Sequence, residues 1–249
     1  MFYLKVFIAT LWFIVCCLLA LIVGILRWRH PSGGYVFTVL FTNPVAWLLG
    51  IKVDIKNKER LVDFQPCVYL GNHQSNLDIV IQAQCYRPNT VCIGKKELLW
   101  LPFFGLLFFF TGNILLDRKH HGRALDSLEE AKDFLTKRKI SVYMFPEGTR
   151  NKNSENLLPF KKGAFHLAIA AQVPIIPVVS CPVKPFINLE KRKINPGVAK
   201  VEVLEPIPTA GLRESDVDAL MLKTYERMQT AFKSTSRPQQ SVHQRSAKA

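Results

Sequence analysis

From Val6 to Leu26 the chain carries no charged side chain, and no other feature limits its possible folds so strongly. A bilayer core takes about 20 consecutive apolar residues as a helix, so this run is expected to be a membrane helix. A cleaved signal peptide would be shorter and would end in a small-residue cleavage pattern that is missing here. Lys5 alone precedes the run, whereas Arg27, Arg29 and His30 follow it at once. Positive residues stay cytoplasmic, which places the remainder of the chain on the cytoplasmic face, of the inner membrane in a bacterium. After Pro31-Ser32-Gly33-Gly34 the stretch Tyr35 to Ile51 is apolar again but contains Asn43-Pro44. It reads as a second, broken membrane helix or as an interfacial one, and residues 1–50 then form an anchor separate from the soluble core. A pair of spans would leave the N-terminus and the domain on one side, whereas a monotopic hairpin would cross nothing.

From residue 51 to 232 short β-rich runs alternate with helical ones, the pattern of an α/β fold with a mostly parallel sheet flanked by helices. The expected strands are Val53–Lys56, Cys67–Leu70, Thr90–Ile93, Ile114–Leu116, Ile140–Phe145, Pro174–Val179 and Ala199–Leu204. Leu125, Leu128, Ala131 and Leu135 mark an amphipathic helix within Gly122–Lys139. A third apolar run, Leu98 to Leu116, is punctuated by Pro102, Gly105, Gly112 and Asn113. It is long enough for a span but reads better as a greasy helix or loop at a membrane-facing mouth, with Trp100, Phe103, Phe104, Phe108, Phe109 and Phe110 lining an apolar channel or dipping into lipid. Residues 233–249 have no acidic side chain and form a basic tail, expected to be disordered and to touch lipid headgroups.

The formal charge of +14 suits nucleic acid, an anionic membrane surface or small phosphorylated substrates. The 49% hydrophobic content, with 17 Phe, favours the membrane. No nucleic-acid motif is present, so no nucleic-acid partner is expected. The six cysteines lack metal-ligand spacing and sit mostly in apolar runs, which argues for reduced thiols and against a zinc site.

Chemistry concentrates where strands end. Val68-Tyr69-Leu70-Gly71 leads into a polar turn with His73, and a helix begins near Asp78. On one continuous helix, residues five apart lie about 140° apart and do not meet. With His73 in the turn, Asp78 can accept from its imidazole, fix the tautomer and leave the far nitrogen as a general base. Met144 to Arg150 repeats the design: a strand, then a tight turn with Glu147, Gly148, Thr149 and Arg150. Arg150 suits a bidentate phosphate contact, with Lys161 and Lys162 adding charge. Lys95 and Lys96 after the third strand and Arg118 after the fourth are further cations, and in a parallel sheet all these ends share one edge.

Four ordered segments, Asn72–Asp78, Gly112–Arg118, Phe145–Arg150 and Val173–Val178, resemble the motifs of the glycerolipid acyltransferases, and most closely the 1-acyl-sn-glycerol-3-phosphate acyltransferases. The likeness covers roughly residues 50–205. It departs from the family pattern in the second motif, where Asn113-Ile114-Leu115-Leu116 stands in place of an aromatic before the Asp-Arg pair. The resemblance implies that His73, oriented by Asp78, deprotonates the sn-2 hydroxyl of lysophosphatidate, which attacks the thioester of acyl-CoA or acyl-carrier protein. It assigns Arg150 to the glycerol phosphate within the Glu147-Gly148-Thr149-Arg150 motif, with Lys95, Lys96 and Arg118 as further candidates and Glu147 ordering the turn. It makes Val173–Val178 a structural strand beside the acyl site. No metal or redox cofactor is expected, because a thioester is already activated. The alternative is an acyltransferase acting on a related lysolipid. Two rivals of other classes are a membrane-bound serine hydrolase using Ser75 or another Ser, against which the chain lacks Gly-x-Ser-x-Gly and Ser75 lies awkwardly close to His73, and a non-catalytic lipid-binding scaffold, which leaves the His, Asp and Arg placement without a reason.

Overall fold

Alternate residues of a strand face opposite ways, and here both sets are apolar, so the sheet has to be covered on two sides. The computed structural model describes residues 1–117, 120–151, 155–188 and 190–236. Its helices are α1 (Phe2–Leu26), α2 (Ser32–Leu49), α3 (Asp78–Ile81), α4 (Phe104–Phe110), α5 (His121–Thr136), α6 (Gly163–Ala171) and α7 (Val217–Thr235). Its strands are β1 (Ile51–Lys56), β2 (Val68–Gly71), β3 (Thr90–Lys95), β4 (Ile114–Leu116), β5 (Ser141–Met144), β6 (Ile175–Ser180), β7 (Ile187–Asn188), β8 (Lys193–Ile194) and β9 (Gly197–Val203). The main sheet runs β1-β9-β6-β2-β5-β3-β4, with β7 and β8 as a separate hairpin. β6, β2, β5, β3 and β4 are mutually parallel, so their C-terminal ends share one edge; β9 pairs antiparallel with β6 and parallel with β1.

Val68, Leu70, Val142, Met144 and Ile175 bury one face against Phe134 and Leu135 of α5, Phe165 of α6 and Phe232 of α7. Tyr69, Tyr143, Ile176 and Val178 bury the other against Cys16, Cys17 and Ala20 of α1 and Phe37, Phe41 and Val45 of α2. The expected separation of residues 1–50 from the core is therefore corrected: α1 and α2 form the layer that closes the second face. Nor is α2 broken. Pro44 cannot donate to the Leu40 carbonyl four residues back, and the indole Nε1 of Trp12 in α1 donates to that carbonyl instead, at 2.9 Å. The sequence spacing of the two partners hid this replacement.

α1 is the one described helix long and apolar enough to cross a bilayer, with 17% of its most apolar window buried. Such a helix is compatible with membrane association. Small residues let the neighbours close on it: a Cβ on Gly33 would stand 2.6 Å from Thr111 Cγ2 and 2.9 Å from the Ala20 carbonyl. The third apolar run is divided among a 3-10 turn over Lys96–Trp100, α4 and β4, so it does not span. Phe13 of α1 stacks on Phe104 of α4 at 5.7 Å between ring centroids. Trp100 is 81% exposed, and Leu101, Phe103 and Leu106 are also exposed. The expected tail begins later than Lys233, since α7 continues to Thr235 with Ala231, Phe232 and Thr235 buried on one stripe. The rest of the tail, residues 237–249, lies outside the described residues, as does Arg118.

Candidate active site

The C-terminal edge of the parallel strands gathers the polar turns. β2 ends at Gly71, the chain turns through residues 72–77, and α3 starts at Asp78. His73 lies in that turn, and its Nδ1 is 2.7 Å from Asp78 Oδ2. The same oxygen accepts the backbone N–H groups of Gln74, at 2.7 Å, and Ser75, at 3.0 Å. Asp78 is 2% exposed, whereas a quarter of the His73 side chain remains accessible. The imidazole stacks on Phe145 at 4.3 Å between ring centroids. With Nδ1 turned to the carboxylate, Nε2 is the nitrogen left to exchange a proton with a bound molecule.

Glu147 is buried and locks the two turns together. Its Oε1 accepts the His73 N–H at 2.8 Å, and its Oε2 accepts the Leu158 N–H at 2.8 Å. Burial pushes this carboxyl above the usual carboxylate range, while the two N–H bonds pull it the other way. The His73 carbonyl in turn accepts the Asn151 N–H at 2.7 Å. Gly148 sits at φ +69, a left-handed position that glycine takes without steric cost. Thr149 and Arg150 are exposed, and Arg150 Nη1 donates to Asn76 Oδ1 at 2.8 Å, which ties the second turn back to the first.

The remaining cations are less convergent. Lys95 ends β3 and is exposed, but β3 stands two strands from β2, about 10 Å across the sheet. Lys96 Nζ approaches Asp117 at 3.3 Å, and Arg123 shares the same carboxylate at 3.2 Å. Asp117 of the second motif thus anchors Lys96. Lys162 pairs with Asp218 of α7 at 2.7 Å, which draws it away from Arg150. Ser75 Oγ accepts the Leu77 N–H at 3.3 Å, and among the described residues no hydrogen bond joins it to His73, as a serine nucleophile would need. Among the described residues, no group of His, Cys, Asp and Glu side chains is arranged to hold a metal ion.

Sequence reasoning passed over a buried polar cluster behind the turn. Asn72 Nδ2 donates to the Ser180 carbonyl at 3.0 Å, and the Ser180 N–H donates to Asn72 Oδ1 at 2.8 Å, so the start of the turn is bolted to the end of β6. Gln82 and Tyr143 complete the cluster. Uncharged side chains far apart in sequence leave no spacing signal; Asn72 did stand inside a quoted motif.

A His–Asp pair thus stands on a strand-edge turn, cross-braced by a buried Glu, in a chain whose fold and sequence define its class. The sequence profile of the Acyltransferase family matches residues 52–181, and the chain belongs to that family. Its particular relatives are the 1-acyl-sn-glycerol-3-phosphate acyltransferases. The enzyme of that name from Haemophilus influenzae is 36% identical over 91% of this chain and 92% of its own length, and the one from Escherichia coli is 38% identical over 87% and 86%. The crystal structure of the 1-acyl-sn-glycerophosphate acyltransferase from Thermotoga maritima has the same fold, with a TM-score of 0.71 over 91% of this chain and 92% of that one at 23% identity.

Proposed function

We propose that the protein transfers an acyl group from acyl-CoA or acyl-carrier protein to the sn-2 hydroxyl of 1-acyl-sn-glycerol-3-phosphate, giving phosphatidate for phospholipid synthesis. The observation that carries this reading is the His73–Asp78 pair at 2.7 Å, set on the strand edge of a chain similar to enzymes of that name over nine tenths of its length. His73 Nε2 takes the proton of the hydroxyl as its oxygen attacks the thioester carbonyl, and Asp78 stabilises the imidazolium that forms. Collapse of the tetrahedral intermediate breaks the carbon–sulfur bond, and the proton passes from the imidazolium to the departing thiolate. Arg150 holds the phosphate: Asn76 engages one of its amino groups, and the other donors of the fork stay available. Gly148 and Thr149 shape the same turn, and Lys95 and Lys96 add positive potential along the edge. Arg118, beyond the described residues, is kept as a phosphate candidate. The thioester supplies its own activation, so no cofactor takes part. Purified protein supplied with labelled acyl-CoA should form phosphatidate only when lysophosphatidate is present. Release of free fatty acid at the same rate without the acceptor would make it a hydrolase instead.

The partner surface is the bilayer, with the catalytic edge on the cytoplasmic side, as Arg27 and Arg29 after α1 favour. The exposed Trp100, Leu101, Phe103 and Leu106 follow directly on the site end of β3 and adjoin α1 through α4, so they enter the lipid interface beside the site. Trp100→Glu should slow acylation of long-chain lysophosphatidate in vesicles several-fold. It should leave the rate on a short-chain, monomeric acceptor unchanged. An equal loss on both acceptors would place Trp100 in the catalytic pocket rather than at the membrane.

A further inference from the structure

The peptide unit joining Asn72 to His73 is gripped at both of its polar ends. Its N–H donates to Glu147 Oε1 at 2.8 Å. Its carbonyl, belonging to Asn72, accepts from the side-chain Nε2 of Gln82. Gln82 follows α3 and is 2% exposed. Its second amide hydrogen goes to Ser180 Oγ at 2.8 Å, and its Oε1 accepts the Tyr143 hydroxyl at 2.9 Å. Both donors on the nitrogen are used, and because the Asn72 carbonyl can only accept, the amide must present its nitrogen to it; the Tyr143 bond adds to this without being required for it. Burial pushes the Tyr143 phenol well above its ordinary range, so it stays a donor. There is no slack around this contact: a Cβ on Gly71 would stand 2.6 Å from the Tyr143 hydroxyl oxygen and closer still to Gln82 Oε1.

We infer that Gln82 is a positioning residue for the acyl transfer: it fixes the rotation of the peptide that carries His73 and thereby the direction of Nε2. The inference rests on His73 being the base. Two rotations decide where an imidazole on a turn points, that of the preceding peptide and that of the side chain itself. Asp78 and Phe145 restrain the ring, but both can hold it only where the backbone delivers it. Glu147 holds one edge of this planar peptide by a single bond, about which the plane can still rock, and the ring would swing with its carboxylate partner because Asp78 is bonded to the backbone of the same turn. Gln82 removes that rocking by tying the opposite, carbonyl edge to β6 and β5, strands that flank β2. An error of about 1 Å in a reacting group costs on the order of 10²-fold in rate, so a side chain that touches no substrate can still govern turnover.

The test uses the intact protein, with Gln82→Met, Gln82→Glu and Tyr143→Phe beside wild type and His73→Ala. Gln82→Met keeps the length but removes the donors; its kcat should fall roughly 30- to 100-fold, with both KM values within threefold. Gln82→Glu can donate to the Asn72 carbonyl only as the neutral acid, so its activity relative to wild type should rise as the pH falls. That ratio settles the matter even if Gln82→Met fails to fold. Tyr143→Phe loses a bond of the cluster without touching Asn72 and should keep most of its kcat. A Gln82→Glu ratio that does not change with pH, a folded Gln82→Met with kcat within threefold of wild type, or an equal loss in Tyr143→Phe would each overturn the assignment. Activity remaining in His73→Ala would instead remove the base on which it rests, a separate and distinguishable failure.

Discussion

His73→Ala should abolish measurable acyl transfer while leaving the protein folded and associated with membrane, because the side chain is partly exposed and its backbone bonds to Glu147 and Asn151 do not involve the ring. A positioned general base contributes roughly 10² to 10⁴ in rate. Asp78→Asn should also be strongly impaired, though not for the reason the motif alone suggests. In serine-protease triads the same change is associated with the wrong imidazole tautomer and costs about 10⁴ in kcat. Here a single oxygen, Oδ2, receives His73 Nδ1 and two backbone N–H groups, while Oδ1 has no hydrogen-bond partner among the described residues. An Asn can keep its oxygen in the Oδ2 position and turn its amide nitrogen to the other side, preserving the tautomer and removing only the charge. A unit charge pair at about 4 Å and an effective dielectric near 20 is worth about 4 kcal/mol, or roughly 10³ in rate. Asp78→Ala, which also releases the backbone of the turn, should be worse and should destabilise the fold. Initial rates and thermal melts of the three variants check this. Near-normal turnover by His73→Ala would remove the mechanism.

Arg150→Ala should raise the KM for lysophosphatidate at least tenfold and leave the donor KM nearly unchanged. A hydrogen bond to a charged group contributes roughly 1.5–3 kcal/mol, and the phosphate it holds does not react, so the loss falls on binding. Arg150→Lys should recover only part of it, because a point charge replaces the planar fork and the link to Asn76 is lost. Asn76→Ala should have a smaller effect of the same kind, since it frees the guanidinium without removing it. A rise confined to the KM for acyl-CoA would place Arg150 at the donor site and reverse the proposed orientation of the substrates.

The parts of this arrangement that were legible in the sequence are those encoded locally. All seven strands of the main sheet were expected within a few residues, because β-branched runs bounded by turns carry that information on their own. His73 and Asp78 could be brought together on paper, since a turn of five residues allows few alternatives. What stayed hidden depends on contacts between distant segments. Nothing in Ala199–Leu204 or Val53–Lys56 distinguishes a parallel strand from an antiparallel one, and β9 in fact opposes β6. The two-residue strands β7 and β8 are too short to leave a period. Lys162 was expected to add positive charge beside Arg150, but α7 brings Asp218 against it. Pro44 looked like a break until Trp12 supplied the missing donor.

That indole carries a practical consequence for producing a water-soluble enzyme. Trimming the chain at residue 30 would take away Trp12, leave the Leu40 carbonyl without its donor and uncover the side of α2 against which Cys16, Cys17 and Ala20 pack. Cutting at residue 50 would go further and strip Phe37, Phe41 and Val45 from the face of Tyr69 and Tyr143, whose hydroxyl reaches the cluster behind His73. The more workable course is to keep both helices whole and recolour only the outward side of α1, exchanging Leu4, Phe7, Leu11, Leu18, Ile22 and Ile25 for polar residues.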